Sequence, residues 1–352
     1  MPHQTLRIID ANCNRIGEGL RFLEDVARFV LNDQPLTREF KTMRHTLVKQ
    51  LGQFGSDLLT ARDAEADIGV SPQKAVQNDL PALAAANARR VEEALRVVEE
   101  LAKLPDISPK LDSQDLEKAR FKLYTLEKAL HSKLLRRQKT ARIKGLYVII
   151  DAEILGYKNE IEVASKAIRG GAAVIQLRDK HRNKRGLFTL AREMSALCQD
   201  SGVLFIINDH LDIALAIECD GLHIGQEDLP LPIVRKALQI DKIIGVSTRT
   251  VEQARAAAAQ GADYIAAGSV YPSPSKPEAE VIGLKQLRKI REAVPLPIVA
   301  IGGIDRENIG EVMSTGVESA AVISAVITQK NIEEATRLLV KAIETAKSNL
   351  EP

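Results

Sequence analysis

The chain has 352 residues, 45% of them hydrophobic and 27% charged, enough to bury one large core or two separate ones in a soluble globular protein. A formal net charge of +2 gives no global pull toward nucleic acid or an anionic membrane, so electrostatic recognition has to be local. No run approaches the roughly 18 apolar residues of a membrane span.

The first segment, "MPHQTLRIIDANCN", lacks the apolar core of a secretory signal, which places the protein in the cytoplasm. Cys13, Cys198 and Cys219 are too far apart for a CxxC metal pair and read as buried thiols in a reducing compartment. "ANCNRIGEGLRFLEDVAR", from Ala11, then returns as "ANARRVEEALRVVEELAK", from Ala86. Ile16, Leu20, Leu23 and Ala27, and in the second copy Val91, Leu95, Val98 and Ala102, recur at helical spacing, so both copies are amphipathic helices of an all-α N-terminal domain. On the opposite stripe, Glu18 to Arg21 and Arg21 to Asp25 have the spacing of surface ion pairs. Asn12 with Arg15, and Asn87 with Arg90, fall near the start of each copy, where a helix pair would present them to one cleft. Between the copies, "LLTARDAEADIG" crowds Arg62, Asp63 and Asp67 into a loop ended by Gly69.

The pattern changes near residue 140. "SKLLRRQKTARIKG" carries six basic residues and no acid; it reads as a helix end with its dipole compensated, then a solvated linker. Short β-branched runs then alternate with helical stretches, with strands starting near Gly145, Ala172, Leu204, Gly221, Lys242, Asp263, Pro297 and Ser319. Eight βα units predict a compact (β/α)8 TIM barrel over 141–352, following the helical domain over 1–140. An open doubly wound sheet is disfavoured because no GxGxxG follows the first strand.

Such barrels do their chemistry at the C-terminal ends of the strands. The second strand ends in "IQLRDK", whose alternation puts Gln176, Arg178 and Lys180 on one side. The third supplies Asn208 and Asp209, the fourth Gln226 and Asp228, the fifth Ser247. After the sixth comes "GSVYPSPSKPEA", with Ser273, Ser275 and Lys276. Taken singly, Asp209 and Asp228 could be helix N-caps, Arg178 and Lys180 a solvated loop, and Gly302-Gly303 a tight turn, while His223 reads as a hydrogen-bonded core histidine. Taken together, two carboxylates on neighbouring strands without a Cys or His cluster suit Mg2+. Arg178, Lys180 and Lys276 around the same space make a diphosphate site. The Gly-Gly turn after the seventh strand and Ile323-Ser324 after the eighth imply a second anion site on backbone N–H groups.

"QLRDK", "INDHLDIALAIECDGLHIGQEDLP", "GVSTRT", "YPSPSK", "AIGGI" and "VIS", in this order, resemble thiamine phosphate synthases. The resemblance implies Mg2+-dependent coupling of 4-amino-2-methyl-5-(diphosphooxymethyl)pyrimidine to a thiazole phosphate, giving thiamine phosphate and pyrophosphate. Gln176, Asn208 and Ser247 would then fix the pyrimidine and its diphosphate, and Gly303, Ile323 and Ser324 the thiazole phosphate. The family loop usually reads Thr-x-Thr-Lys; Ser273-Pro274-Ser275-Lys276 keeps its hydroxyls. A thiazole tautomerase shares the fold but would not need the full set of diphosphate ligands. The helical half resembles the domain fused to these synthases in some bacteria, which implies a hydroxymethylpyrimidine phosphate kinase using ATP. No GxxxxGK[ST] loop is present, and the repeat equally permits a noncatalytic dimerisation or regulatory module. The partners expected are small phosphorylated substrates, without nucleic acid or membrane and with self-association open.

Overall fold

The computed structural model describes residues 3–62, 79–273 and 278–349. Asp63, Asp67, Gly69, Ser275 and Lys276 lie outside the described residues. The chain divides into two compact units, Met1–Leu135 and Arg136–Pro352.

The first unit is helical. It holds α1 (His3–Asp25, continued by a π-helical turn to Val30), α2 (Gln34–Leu51), α3 (Ser56–Ala61), α4 (Leu80–Leu101) and most of α5 (Ser113–Thr140). Aspartates start two of these helices: Asp33 accepts from Leu36 N and Asp79 from Ala82 N, each followed by a proline in the first turn. Such caps contribute about 1 kcal/mol each. The two copies of the repeat are α1 and α4, and they pack on each other along their apolar stripes. Gly19 permits the close approach, because a Cβ there would lie 2.4 Å from Val91 Cγ2.

The duplication extends further than the quoted copies. Glu24 and Glu99 are both buried, and each is held by an arginine from its own helix and one from the next. Arg44 of α2 donates to Glu24 at 2.8 Å, and Arg120 of α5 donates to Glu99 at 3.0 Å. Phe40 and Leu47 flank Arg44 as Leu116 and Leu123 flank Arg120, all four buried. The repeated unit is therefore a helix pair, α1–α2 and α4–α5. The anticipated Glu18–Arg21 pair is replaced: Arg21 turns to Glu24 (3.6 Å) and Asp25 (3.2 Å), as Arg96 turns to Glu99 and Glu100 (2.5 Å each).

The second unit is a closed barrel of eight parallel strands in sequential order. These are β1 (Gly145–Asp151), β2 (Val174–Arg178), β3 (Leu204–Asn208), β4 (Gly221–Ile224), β5 (Ile243–Thr248), β6 (Tyr264–Gly268), β7 (Ile298–Ile301) and β8 (Ser319–Val322). Each starts within two residues of its sequence-based position. The outer helices are α6 (Ala152–Leu155), α7 (Glu160–Arg169), α8 (Lys184–Asp200), α9 (Leu211–Ala216), α10 (Leu231–Ala237), α11 (Val251–Gln260), α12 (Gly283–Ala293), α13 (Ile309–Met313), α14 (Ser324–Ile327) and α15 (Ile332–Ser348). Strand alternation makes two cores. Leu146, Val148 and Ile150 face the helices, whereas Tyr147 and Ile149 fill the interior with Val174, Leu204, Ile206 and Tyr264.

At the N-terminal ends of the strands, carboxylates brace the sheet. Asp220, just before β4, accepts from Phe205 N of β3; Asp263, just before β6, accepts from Ile244 N of β5; Glu318, just before β8, accepts from Ile298 N of β7. Ala173 holds the corresponding place before β2, opposite Leu146. The basic run after residue 135 reaches the same end: Arg136 donates to Asp263 at 2.9 Å, and Lys139 pairs with Asp241 at 2.8 Å and Asp220 at 3.5 Å. Arg136 and Lys139 belong to the end of α5, as the sequence indicated, and are ion-paired within the second unit, while Ala141, Arg142 and Lys144 after the helix are exposed.

Candidate active site

A cavity of about 780 Å³ opens at the C-terminal ends of the strands. Strand parity decides what enters it: on β2, Val174, Gln176 and Arg178 point inward, and on β5 Ile243, Gly245 and Ser247 do so. Gln176, Arg178, Lys180, Asn208, Asp209, Asp228, Ser247, Ser273, Gly303, Ile323 and Ser324 all line this one space. β7 and β8 stand across the closed barrel from β3 and β4, so Gly303 and Ile323-Ser324 face the carboxylates from the far side.

Asp209 and Asp228 are not N-caps. The cap positions of α9 and α10 are His210 and Pro230, neither with a side-chain capping bond. Asp228 instead accepts from Gly225 N at 2.7 Å. Asp209 sits in the left-handed region, with φ of 62°. Burial raises its pKa first, then the charge of Asp228 and a hydrogen bond with it, against the opposing pull of Lys180 and Arg178. Lys180 Nζ is 3.8 Å from its carboxylate. Two carboxylates thus share a space short of positive charge, although among the described residues no group of three or more His, Cys, Asp or Glu side chains is placed to hold a metal. Two carboxylates, with water and phosphate oxygens completing the shell, are a donor set that fits Mg2+.

Sequence reasoning missed Asp151, the last residue of β1. It is 1% exposed and takes the Arg178 guanidinium while accepting from Glu153 N and Ile154 N. The signal was available, since alternation along "GLYVIID" puts Asp151 on the inner face with Tyr147 and Ile149. Gly302 and Gly303 have φ of 101° and 63°, and Asn308 Nδ2 donates to Gly303 O at 2.8 Å. A Cβ on Gly303 would lie 2.4 Å from Pro272 O. Glycine there makes room for the chain after β6, so a larger residue would strain that loop before it touched any ligand. His223 is a buried, hydrogen-bonded histidine, with Nδ1 3.1 Å from Tyr264 Oη and Nε2 2.9 Å from Ser247 Oγ.

In the first unit the described candidates lie along helices or at a helix end. Asn12 and Arg15 lie mid-way along α1, and Asn87 and Arg90 mid-way along α4, not near the starts. Both asparagines spend their amide on the carbonyl four residues back, Ile8 O and Leu83 O. Arg15 donates to Asn12 Oδ1 at 3.2 Å, and Arg62 is bidentate to the buried Asp10 at 2.7 and 2.8 Å.

The sequence pattern described as thiamine monophosphate synthase matches residues 146–326. A thiamine-phosphate synthase of Synechocystis sp. is 39% identical over 342 residues, 96% of each chain. The chain belongs to the thiamine-phosphate synthase family. It is accordingly a transferase of thiamine biosynthesis. A thiamine-phosphate synthase of Shouchella clausii is 43% identical over 202 residues, 57% of this chain and 97% of its own. A solved thiamine phosphate pyrophosphorylase from Pyrococcus furiosus is 40% identical, with a TM-score of 0.55 over 59% of this chain and 98% of its own. Residues 7–129 match the ThiD2 family. No described helix is long and apolar enough to cross a membrane.

Proposed function

We propose that the barrel joins 4-amino-2-methyl-5-(diphosphooxymethyl)pyrimidine to a thiazole phosphate, releasing pyrophosphate, with Mg2+ held by Asp209 and Asp228. The reading rests on one observation above all, the gathering of paired carboxylates, Lys180 and Arg178 at one side of a large cavity. Bound there, the ion would neutralise oxygens of the departing diphosphate. Arg178, aimed by Asp151, and Lys180 take up the same growing charge, as does Lys276 of the loop after β6. Gln176, Asn208 and Ser247 hold the pyrimidine. Gly303, Ile323 and Ser324, with Ser273 and Ser275, hold the thiazole phosphate. The C–O bond breaks with its electron pair leaving on pyrophosphate, and the thiazole nitrogen lone pair forms the new C–N bond. The test supplies both substrates with and without Mg2+, alongside Mg2+-dependent thermal stabilisation measured without substrates. Thiamine phosphate formed at an undiminished rate in excess EDTA would remove the metal from the reading.

For the helical half, the proposal is phosphorylation of hydroxymethylpyrimidine phosphate by ATP, which makes the diphosphate that the barrel consumes. Asn12, Arg15, Arg62, Asp63, Asn87 and Arg90 remain its candidates. A scaffold role, as a dimerisation or regulatory module, is favoured by a specific observation: Glu24 and Glu99, the buried centres of the duplicated groups, are each already paired with two arginines. Incubating the full chain with the monophosphate, ATP, Mg2+ and thiazole phosphate separates the two. A kinase yields thiamine phosphate, and Arg15→Gln then loses this yield while still using ready-made diphosphate. A scaffold yields none from the monophosphate.

A further inference from the structure

Across the barrel interior runs an unbroken line of hydrogen bonds. Gln176 Nε2 on β2 donates to Tyr147 Oη on β1 at 2.7 Å. Tyr147 Oη is 3.2 Å from Tyr264 Oη on β6. Tyr264 Oη is 3.1 Å from His223 Nδ1 on β4, and His223 Nε2 is 2.9 Å from Ser247 Oγ on β5. Tyr147, Tyr264, Gln176 and His223 are 1%, 0%, 3% and 7% exposed. All five residues line the mouth cavity, with Gln176 and Ser247 at the two ends of the line. The sequence gives up a side chain on β5 to keep the line intact, because a Cβ on Gly245 would lie 2.0 Å from Tyr264 Cζ.

Counting hydrogens gives the line a direction. Gln176 donates to Tyr147, and the arrangement that gives every link one hydrogen then sends the Tyr147 hydroxyl hydrogen to Tyr264. The Tyr264 hydrogen then goes to His223 Nδ1. In that arrangement the imidazole carries its hydrogen on Nε2 and donates to Ser247 Oγ. Four links use four hydrogens, one each. An imidazolium would donate at both ends, and with Gln176 also donating inward the Tyr147 hydrogen would lose its place in the line. Burial reinforces the phenol form of both tyrosines by raising their pKa well above the ordinary value.

We infer that Tyr147, Tyr264 and His223 are positioning residues that fix the donor and acceptor pattern of the pyrimidine pocket: Ser247 presents its O–H as a donor and Gln176 its Oε1 as an acceptor. An aminopyrimidine offers the complement, a ring nitrogen that accepts and an exocyclic amine that donates. A line that imposes this polarity selects against pyrimidines lacking the amine, since they leave a buried acceptor desolvated and unpaired. The inference rests on the proposed pyrimidine role of Gln176 and Ser247.

The experiment measures equilibrium binding of the aminopyrimidine diphosphate and of its analogue with hydrogen in place of the amine, with Mg2+ and without thiazole phosphate. Wild type, Tyr264→Phe and Tyr147→Phe are compared, each first checked for an unchanged melting profile. Wild type should prefer the amino compound by ten-fold or more, and each variant should lose most of that preference while its Kd for thiazole phosphate stays within two-fold. His223→Gln, which keeps one donor and one acceptor, should retain more of the preference than His223→Leu. A preference unchanged in both tyrosine variants, or a loss equal for the two pyrimidines, overturns the inference. If wild type binds neither pyrimidine, the failure lies instead with the functional reading beneath it.

Discussion

The two units handle charge in opposite ways. In the helical unit, Glu24 and Glu99 are sunk between helices and each is met by two arginines, so buried charge is cancelled where it stands. At the barrel mouth, Asp209 and Asp228 are set side by side over an open cavity, with Lys180 only at 3.8 Å. Neutralised groups lock neighbouring helices, whereas groups left short of counter-charge are ready for a ligand that brings it. The difference is one of partners, not of residue type.

The largest effect expected from that contrast is at the mouth. Asp228→Ala should lower the coupling rate by on the order of 10²–10³-fold with little change in melting temperature, because the lost interaction acts on the leaving group. A variant that melts early in proportion to its lost activity would place Asp228 with the structural carboxylates. Because the pKa of Asp209 is raised, Mg2+-dependent stabilisation should also weaken on acidification at a higher pH than an ordinary carboxylate would give.

Arg120→Ala tests the opposite case. Removing one arginine from a buried carboxylate should destabilise the helical unit by about 3 kcal/mol and leave the barrel's coupling of ready-made substrates unchanged. Denaturant unfolding beside a coupling assay reads both. Asp151→Asn lies between the extremes. Arg178 loses its charged anchor, and kcat/KM should fall about ten-fold, the size of one charge-assisted hydrogen bond; an unchanged value would mean that Arg178 is held in place by other means.

The smallest effect is a pH slope. Burial, then a hydrogen bond with Glu127 and that residue's charge, push Glu92 from 4.5 to about 7, against the opposing charge of Arg89 and with a further push from Glu93. Its folded-state pKa is raised, so its contribution to stability is complete below pH 4.5 and is lost as the pH rises through about 7. The helical unit should therefore melt several degrees lower at pH 8 than at pH 5, solvent screening of this partly exposed group being allowed for, and Glu92→Gln should flatten the difference. A slope that persists in the variant belongs to another group.

Much of the barrel was legible because strand alternation is a two-state code. Parity along "IQLRDK" puts Gln176 and Arg178 on one face without knowledge of the rest of the chain, and it would have found Asp151 had the first strand been read to its end. The bridging of Gln176 to Ser247 was not legible, because Tyr147 and Tyr264 meet only once the barrel closes. The helical unit was harder. A 3.6-residue period marked Ile16, Leu20 and Leu23 as core, but it could not reveal that Glu24 is buried too, since its arginine arrives from α2, twenty residues on. Nor could it place Asn12 within its helix, because α1 begins well before the repeated segment.

The carboxylates before β4, β6 and β8 have a consequence for register. In a parallel sheet, a slip of two residues returns every apolar side chain to its proper face, so hydrophobic patterning alone does not forbid it. Such a slip would carry the strand-end side chains about 6.6 Å along the strand, at about 3.3 Å per residue. Arg178, Asn208 and Ser247 would then stand at different depths, and no single substrate could touch them all. Asp220, Asp263 and Glu318 each bind one particular backbone N–H of the neighbouring strand, and a two-residue slip would leave that bond unmade. The far end of the barrel thereby sets the depth at which its chemistry takes place.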